Sequence, residues 1–317
     1  MTETAPAIRT RTLRLGTRGS DLALAQSGLV ARELEALHPG LKVELVPKTT
    51  RGDIYRGDLA EVGGKGLFTE ELEKELLDGT LDFAVHSLKD LPVTLGPGLT
   101  VAAFPRRADP RDVLVGAKTV HDLPQGGSVL TGSQRRRSQL LLARPDLDVR
   151  PIRGNVGTRL GKWRAGDGDA VILAAAGIDR LGIENLDLEP SEAHRMDPAL
   201  MIPAPGQGTL ALEVRTGSEA DALCRGLNDP ATERDSVMER KIVAAFGGDC
   251  TLPLAAWARE ENGELRLSAV LAMPDGSRAA RGEARGDDPD AVTQACLDAL
   301  HADGAAVVLQ AMGRSSS

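Results

Sequence analysis

A recurring order restricts the fold of this chain most: short apolar runs end in small polar residues and lead straight into helical patterns. Residues 12–16 read as a strand, and Ser20 then offers an N-cap to an apolar stripe of Leu22, Ala25, Leu29, Leu34 and Leu37 that His38-Pro39-Gly40 stops. Residues 42–47 alternate as a strand, and the glycine-rich stretch 50–66 opposes regular structure. A second helix is predicted over 67–77, stopped by Gly79, and 82–86 is a buried-strand candidate. Beyond the proline-rich stretch 91–105 the order restarts, with strands near Val113 and Val129, a helix over 134–143, a strand over 149–152, a helix over 156–163 and a strand over 170–173. Strands alternating with helices in short units predict α/β structure with a largely parallel core. Two such series joined by residues 105–112 predict two α/β lobes with a hinge, with ligands at the strand ends between them.

From about residue 228 the pattern changes to a helix over 232–246, strands over 252–257, 264–271 and 278–284, and a helix over 289–301. Glu261-Asn262-Gly263 and Pro274-Asp275-Gly276 have hairpin-turn chemistry, so this part is predicted to be a small α+β domain with an antiparallel sheet. Gly206-Gln207-Gly208 reads as a tight turn that returns the chain to the first lobe. A chain of 317 residues exceeds one ordinary core. The expected division is 1–108 with 203–227 as domain 1, 109–202 as domain 2 and 228–317 as domain 3.

Charge narrows the function. With 38 Lys+Arg against 46 Asp+Glu the net charge is −8, which argues against general nucleic-acid binding, and 2% aromatics leave few platforms for stacking bases. The charge-free stretches 91–105 and 198–212 both contain prolines and neither can span a bilayer. The first residues lack the apolar core of a secretory signal, and Cys224, Cys250 and Cys296 are too scattered for a disulfide framework or a zinc site. A cytoplasmic protein without a metal is expected. Yet residues 130–164 hold nine basic and two acidic side chains. An acidic protein with one such segment is expected to bind a specific anion.

The chemistry-bearing residues sit where strands feed helices. Leu15-Gly16-Thr17-Arg18-Gly19-Ser20 gathers backbone N–H groups, a hydroxyl and a guanidinium, a natural anion site, although taken alone Ser20 is as well explained as a helix cap. Thr131-Gly132-Ser133-Gln134-Arg135-Arg136-Arg137 and Ile152-Arg153-Gly154-Asn155-Val156-Gly157-Thr158-Arg159 repeat the geometry in the second lobe, where arginine can bind carboxylate or phosphate in a bidentate way. Arg137, Arg144 and Arg164 are expected to be solvated surface. His86-Ser87-Leu88-Lys89-Asp90-Leu91-Pro92 directly follows an apolar strand; Asp90 there suits an acid/base or a cation stabiliser, or an Asx turn before proline, and His86 reads as structural. Cys250, on a glycine-rich turn, suits a nucleophile or an attachment point, whereas Cys224 and Cys296 look like small core residues.

In order, the segments GTRGSDLALAQ, TRGD, VGGKGLF, AVHSLKDLP, DPRDVLVG, RGNVGTRL, AAAGIDRLG, PAPGQG and GGDCTLP resemble the porphobilinogen deaminase (hydroxymethylbilane synthase) family, from about Leu13 to the C-terminal domain. The resemblance implies two lobes like type II periplasmic binding proteins and a third domain carrying a covalent dipyrromethane, held through a thioether by Cys250. It implies stepwise head-to-tail joining of four porphobilinogen units with loss of ammonia, then hydrolysis to release hydroxymethylbilane, in a monomer without metal or nucleotide. By motif match Asp90 is the catalytic carboxylate. Lys89, Thr131, Ser133, Arg135, Arg136, Arg153 and Gln207 are matched to the cofactor, and Arg18, Ser20, Lys65, Arg159 and Arg180 to the substrate. Each pyrrole bears an acetate and a propionate, so the ligand is a polyanion suited to guanidinium groups.

The chain departs from the family pattern at Asp249, where a glycine is usual before the cofactor cysteine, and at Glu61, where many members have lysine. Both add negative charge near the path of a polyanion and favour the rival expectation, a non-catalytic or diverged paralogue that binds anions or pyrroles. Retained Cys250 and Asp90 favour the enzyme.

Overall fold

The computed structural model describes residues 11–48, 69–247 and 252–314. Strands β1 (Arg11–Arg18), β2 (Leu41–Lys48), β3 (Phe83–Ser87) and β4 (Leu99–Ala103) form a first sheet with β10 (Leu210–Arg215), in the order β2-β1-β3-β10-β4. A second sheet is built from β5 (Asp112–Val115), β6 (Ser128–Leu130), β7 (Asp148–Arg150), β8 (Ala170–Ala174) and β9 (Ala193–Arg195), in the order β7-β6-β8-β5-β9. In both, the strands that follow one another within a lobe are parallel: β1 with β2 and β3, and β6 with β7 and β8. The expected parallel core is therefore interrupted once in each sheet, because β10 is antiparallel to β3 and β4, and β5 is antiparallel to β8 and β9. The interrupting strand is in each case the one by which the chain arrives from the other lobe. It starts at the edge where the parallel strands end, so it must run the opposite way.

Helices α1 (Asp21–Leu37), α2 (Glu70–Asp78), α3 (Gln134–Ala143), α4 (Val156–Arg164), α5 (Ala175–Leu181) and α6 (Glu219–Cys224) cover the two sheets. With few aromatics available, the cores are aliphatic: Leu15, Val30, Leu34 and Leu212 around Phe83 in the first lobe, and Leu114, Val129, Leu140 and Ile172 in the second, all buried. Cys224 lies in the first of these cores. β4 and β10 were not distinguishable in the sequence, β4 because it lies within the proline-rich stretch.

The remaining residues form α7 (Pro230–Ala245), the antiparallel meander β11 (Leu254–Glu261), β12 (Glu264–Ala272) and β13 (Ala279–Gly286), then α8 (Pro289–Ala302) and α9 (Ala305–Ala311). Asn262 and Gly263, at φ 57° and 84°, make the two-residue turn that lets β11 pair with β12 out to Glu261, beyond the predicted strand end. Ile242, Leu267, Leu271, Cys296 and Leu300 are among the core residues closing α7 and α8 onto one sheet face. The other face sets Ala255, Val270 and Ala272 against Ile202 and Leu142 of the second lobe. Among the described residues no helix is long and apolar enough to cross a membrane.

One side chain ties these parts together. Glu239 of α7, with no exposed surface, accepts Arg107 Nη1 at 2.7 Å and Nη2 at 3.1 Å, Gly206 N at 2.6 Å and Ala258 N at 2.9 Å. Arg107 belongs to the outgoing connection between the lobes, Gly206 to the returning one and Ala258 to β11. Arg107 also donates from Nε to Gln207 O at 2.9 Å. Truncating one partner of a buried ion pair leaves the other charge uncompensated. Arg107→Met is therefore expected to cost about 3–5 kcal/mol in urea-unfolding free energy, and a loss below about 1 kcal/mol, the range of an exposed pair, would contradict this role for Glu239.

Candidate active site

Three strand-to-helix turns carry predicted site residues. β1 leads to Ser20, which caps α1 by accepting Ala23 N at 3.3 Å; β6 leads to Ser133, which caps α3 by accepting Arg136 N at 3.4 Å. Asn155 caps α4, accepting Thr158 N at 2.8 Å. Thr131 is buried and accepts Ser133 N at 3.2 Å. Ser20, Thr131 and Ser133 thus stand at the predicted turns with their oxygens engaged in shaping them. β3 passes directly into a 3-10 turn, Leu88–Asp90, in which Leu88 N donates to Thr209 O at 3.0 Å. This turn presents Lys89 half-buried and Asp90 exposed.

Arg135, Arg136 and Gln207, expected to face ligand carboxylates, already have a protein carboxylate in front of them. Asp112, wholly buried at the start of β5, accepts Arg136 Nη2 at 2.7 Å, Arg136 Nε at 3.1 Å and Gln207 Nε2 at 2.9 Å, and pairs with Arg135 Nη2 at 2.8 Å. Burial alone would raise its pKa, but Arg135, Arg136 and the Gln207 hydrogen bond outweigh that and hold it at about 2. The arginines also donate to backbone, Arg136 Nη1 to Ile172 O at 2.9 Å and Arg135 Nη1 to Ile202 O at 2.7 Å. Two guanidinium groups taken out of water need a counter-ion. Asp112 was missed in the sequence, where the signal was a carboxylate heading the apolar run Val113-Leu114-Val115 in DPRDVLVG.

Around this cluster the cations outnumber the carboxylates. Lys89 is pushed below the ordinary lysine range by burial, with Arg136 and Arg135 acting in the same direction against Asp90 and Asp112. Arg159 is lowered by burial and by Arg136, against Asp90, and donates from Nε to Gly154 O at 2.8 Å. Arg180, donating to Gly208 O at 2.7 Å, is lowered to about 10 by burial. Lys89, Asp90, Arg135, Arg136 and Arg159 therefore share one electrostatic neighbourhood, and Arg180 borders it through the turn beside Gln207. Arg135 Nε and Gln207 Oε1 are buried and find no hydrogen-bond partner among the described residues. The excess of desolvated positive charge and the orphaned Arg135 Nε are what a multiply anionic ligand would complete, whereas Gln207 Oε1, an acceptor, calls for an N–H donor.

Other predicted residues lie differently. Arg18 is half-buried at the end of β1, and Arg153 is exposed, its carbonyl accepting Lys162 Nζ at 3.3 Å. Lys65 and Cys250, with Glu61 and Asp249, fall outside the described residues. Of the arginines expected to be solvated, Arg137 and Arg144 are half-buried and tethered, Arg137 to Val149 O and Arg144 to the carbonyls of Val120, Leu123 and Pro124 and to Asp146, while Arg164 is exposed as expected and donates to Leu186 O and Asp187 O. A planar group with five donors cross-braces loops that have no ladder of their own. His86 is structural as expected, paired with buried Glu213 at 2.9 Å.

The fold defines a two-lobed α/β protein of the type II periplasmic-binding-protein-like class, with an α+β domain appended, and a cluster of cations at the strand ends of both lobes. The family model for the porphobilinogen deaminase dipyromethane cofactor binding domain matches residues 13–222, and that for the porphobilinogen deaminase C-terminal domain matches 234–302. Porphobilinogen deaminase of Thiobacillus denitrificans is 45% identical over 312 residues, covering 95% of this chain and 99% of the relative. That of Syntrophobacter fumaroxidans is 45% identical over 285 residues, covering 89% and 91%. A periplasmic substrate-binding protein of an ABC transporter from Coxiella burnetii is 15% identical with a TM-score of 0.41, covering 70% of this chain and 94% of that one. The chain belongs to the porphobilinogen deaminase family. The cofactor of this family is accordingly a dipyrromethane, and the excess of cations and the orphaned Arg135 Nε suit its carboxylates.

Because Asp112 titrates lower in the fold than the ordinary 3.8, its contribution to stability is present above that value and is lost as pH falls through about 2. Asp112→Asn is expected to cost about 2–4 kcal/mol near neutral pH, the gap to the unaltered protein narrowing below about pH 4. Urea unfolding at several pH values checks this, and a pH-independent gap would count against it.

Proposed function

We propose that this site carries out the family's reaction: porphobilinogen units are joined head to tail with loss of ammonia, and the finished linear tetrapyrrole is released by hydrolysis as hydroxymethylbilane. The dipyrromethane, when attached, supplies the free pyrrole α-carbon to which the first unit is joined. Lys89, Arg135, Arg136, Arg153, Thr131 and Ser133 hold its side-chain carboxylates, and Gln207, whose Nε2 is committed to Pro110 O and Asp112, offers Oε1 to a pyrrole N–H of the cofactor. Arg18, Ser20, Lys65, Arg159 and Arg180 take those of the incoming substrate. As ammonia leaves, positive charge develops on a pyrrole ring, and among the described residues of the site Asp90 is the carboxylate left to meet it. Asp112 is committed to two arginines, whereas Asp90 is exposed beside Lys89 and Arg159. That contrast between the two carboxylates carries the assignment. An Asp90 oxygen can accept a pyrrole N–H and take up the proton that the attacking α-carbon loses.

Attachment through Cys250 is supported by the other two thiols. Cys224 and Cys296 are pushed up to about 12 by burial, which makes them unreactive, and of the three cysteines only Cys250 follows a glycine-rich turn. Three separate sheets with their own cores support the division into domain 1 (1–108 and 203–227), domain 2 (109–202) and domain 3 (228–317). We read the protein as a cytoplasmic monomer that does not bind nucleic acid, as its acidic balance and the inward placement of its cleft arginines favour.

Protein produced with ample porphobilinogen should exceed its sequence mass by the mass of the dipyrromethane and give a positive aldehyde colour test, both lost in Cys250→Ser. An unmodified mass would overturn the enzyme assignment in favour of a binding paralogue. Asp90→Asn should keep the fold and the cofactor while turnover falls by about 10²–10³, the usual effect of removing preorganised charge; near-normal turnover in a loaded sample refutes the role of Asp90.

A further inference from the structure

Arg240 follows Glu239 on α7 and makes no contact with the cations of the cleft. Its Nη1 donates to Leu91 O at 3.2 Å, and its Nη2 to Pro92 O at 2.6 Å and Val93 O at 2.8 Å. These three carbonyls belong to the irregular segment that immediately follows Asp90, where no helix or strand supplies donors. A planar guanidinium is the side chain able to bond successive carbonyls at once. Burial lowers its pKa, and among the described residues no carboxylate pairs with it. A half-buried charge held only by carbonyls is an expensive way to fasten a loop unless the position of that loop matters.

The other flank of the same turn is also held by α7. Gly206 packs so closely on the turn that a Cβ there would stand 2.8 Å from Leu88 Cγ, and Gly206 N donates to Glu239 Oε2 at 2.6 Å. Consecutive residues of one helix thus grip the 3-10 turn from both sides, Glu239 through Gly206 and Arg240 through residues 91–93. The same helix ends at Ala245, five residues before Cys250.

We propose that Arg240 is a positioning residue for the reaction at Asp90, fixing the Lys89–Asp90 turn to the helix that leads to the attachment cysteine. The proposal rests on the reading of Asp90 as the reacting carboxylate. Small misplacements of a reacting group are costly in rate, so the effect belongs in kcat rather than in KM.

The test uses the cofactor-loaded full chain with Arg240→Gln, Arg240→Lys, Asp90→Asn and the Asp90→Asn/Arg240→Gln pair, with loading read from intact mass and folding from thermal melting. Arg240→Gln should load fully, keep KM within about threefold and lose about 10- to 100-fold in kcat. Lysine, reaching fewer carbonyls at once, should recover part of the loss and remain about 3- to 10-fold below the unaltered enzyme. The double variant should be no more than about twofold slower than Asp90→Asn, because the placement of an absent carboxylate is immaterial. A normal kcat in Arg240→Gln, or in Arg240→Lys should the glutamine variant not fold, overturns the positioning role, as does an additive double variant. Near-normal turnover of Asp90→Asn overturns instead the reading of Asp90, so the two failures are told apart.

Discussion

Asp112 gathers Arg135, Arg136 and Gln207 in a place that water does not reach, and the arrangement of the two lobes depends on that gathering. The carboxylate heads β5, the strand by which the chain enters the second sheet; the arginines open α3; the glutamine lies on the segment returning to the first sheet. A buried guanidinium without a counter-ion costs several kcal/mol, so none of the three elements can move without the others. Glu239 repeats the device one layer away, with Arg107 as its cation and the same returning segment as its third party. Two buried carboxylates therefore fix both connections between the lobes.

Topology puts the reactive groups in the cleft. Parallel strands end where the lobes meet, and the strands crossing from one lobe to the other begin there, so polar turns from both sheets face each other at one edge. Lys89 and Asp90 follow β3, while Ser133, Arg135 and Arg136 follow β6. Groups far apart in sequence become neighbours because each occupies the equivalent position in its own lobe.

The two α/β units and the appended antiparallel meander were legible in the sequence because each rests on local signals: apolar runs, the Ser20 cap and the Asn262-Gly263 turn. The antiparallel direction of β5 and β10 was not, since strand direction within a sheet follows from the path of the whole chain. Among site residues, the strand-to-helix turns were readable, but the partners of their arginines were not. Asp112 looks like a strand residue in DPRDVLVG, and Glu239-Arg240 looks like an exposed pair in a charged helix; their roles come from contacts across 24 and 132 residues for the ion pairs and about 149 for the loop. The opposite error befell Arg144, expected to be solvated, whose donors in fact brace a loop.

What partners a guanidinium decides what it has left for a ligand. A carboxylate partner cancels its charge, whereas a backbone carbonyl fixes its direction and leaves the charge in place. Arg107, Arg135 and Arg136, which hold the lobes, have carboxylates; Arg159 and Arg180, at the edge of the cleft, have the carbonyls of Gly154 and Gly208. The excess of basic residues in the second lobe thus overstates the charge available to a ligand, because Asp112 answers for part of it. A net charge of −8 does not oppose binding either, since exterior carboxylates are screened beyond about 8 Å at physiological salt while cations within a low-dielectric cleft are screened far less. An acidic protein can in this way hold a polycarboxylate: Arg159 and Arg180, tied by carbonyls, keep their full charge for the ligand, while Arg135 and Arg136 share the one charge of Asp112 and so serve the frame with charge to spare.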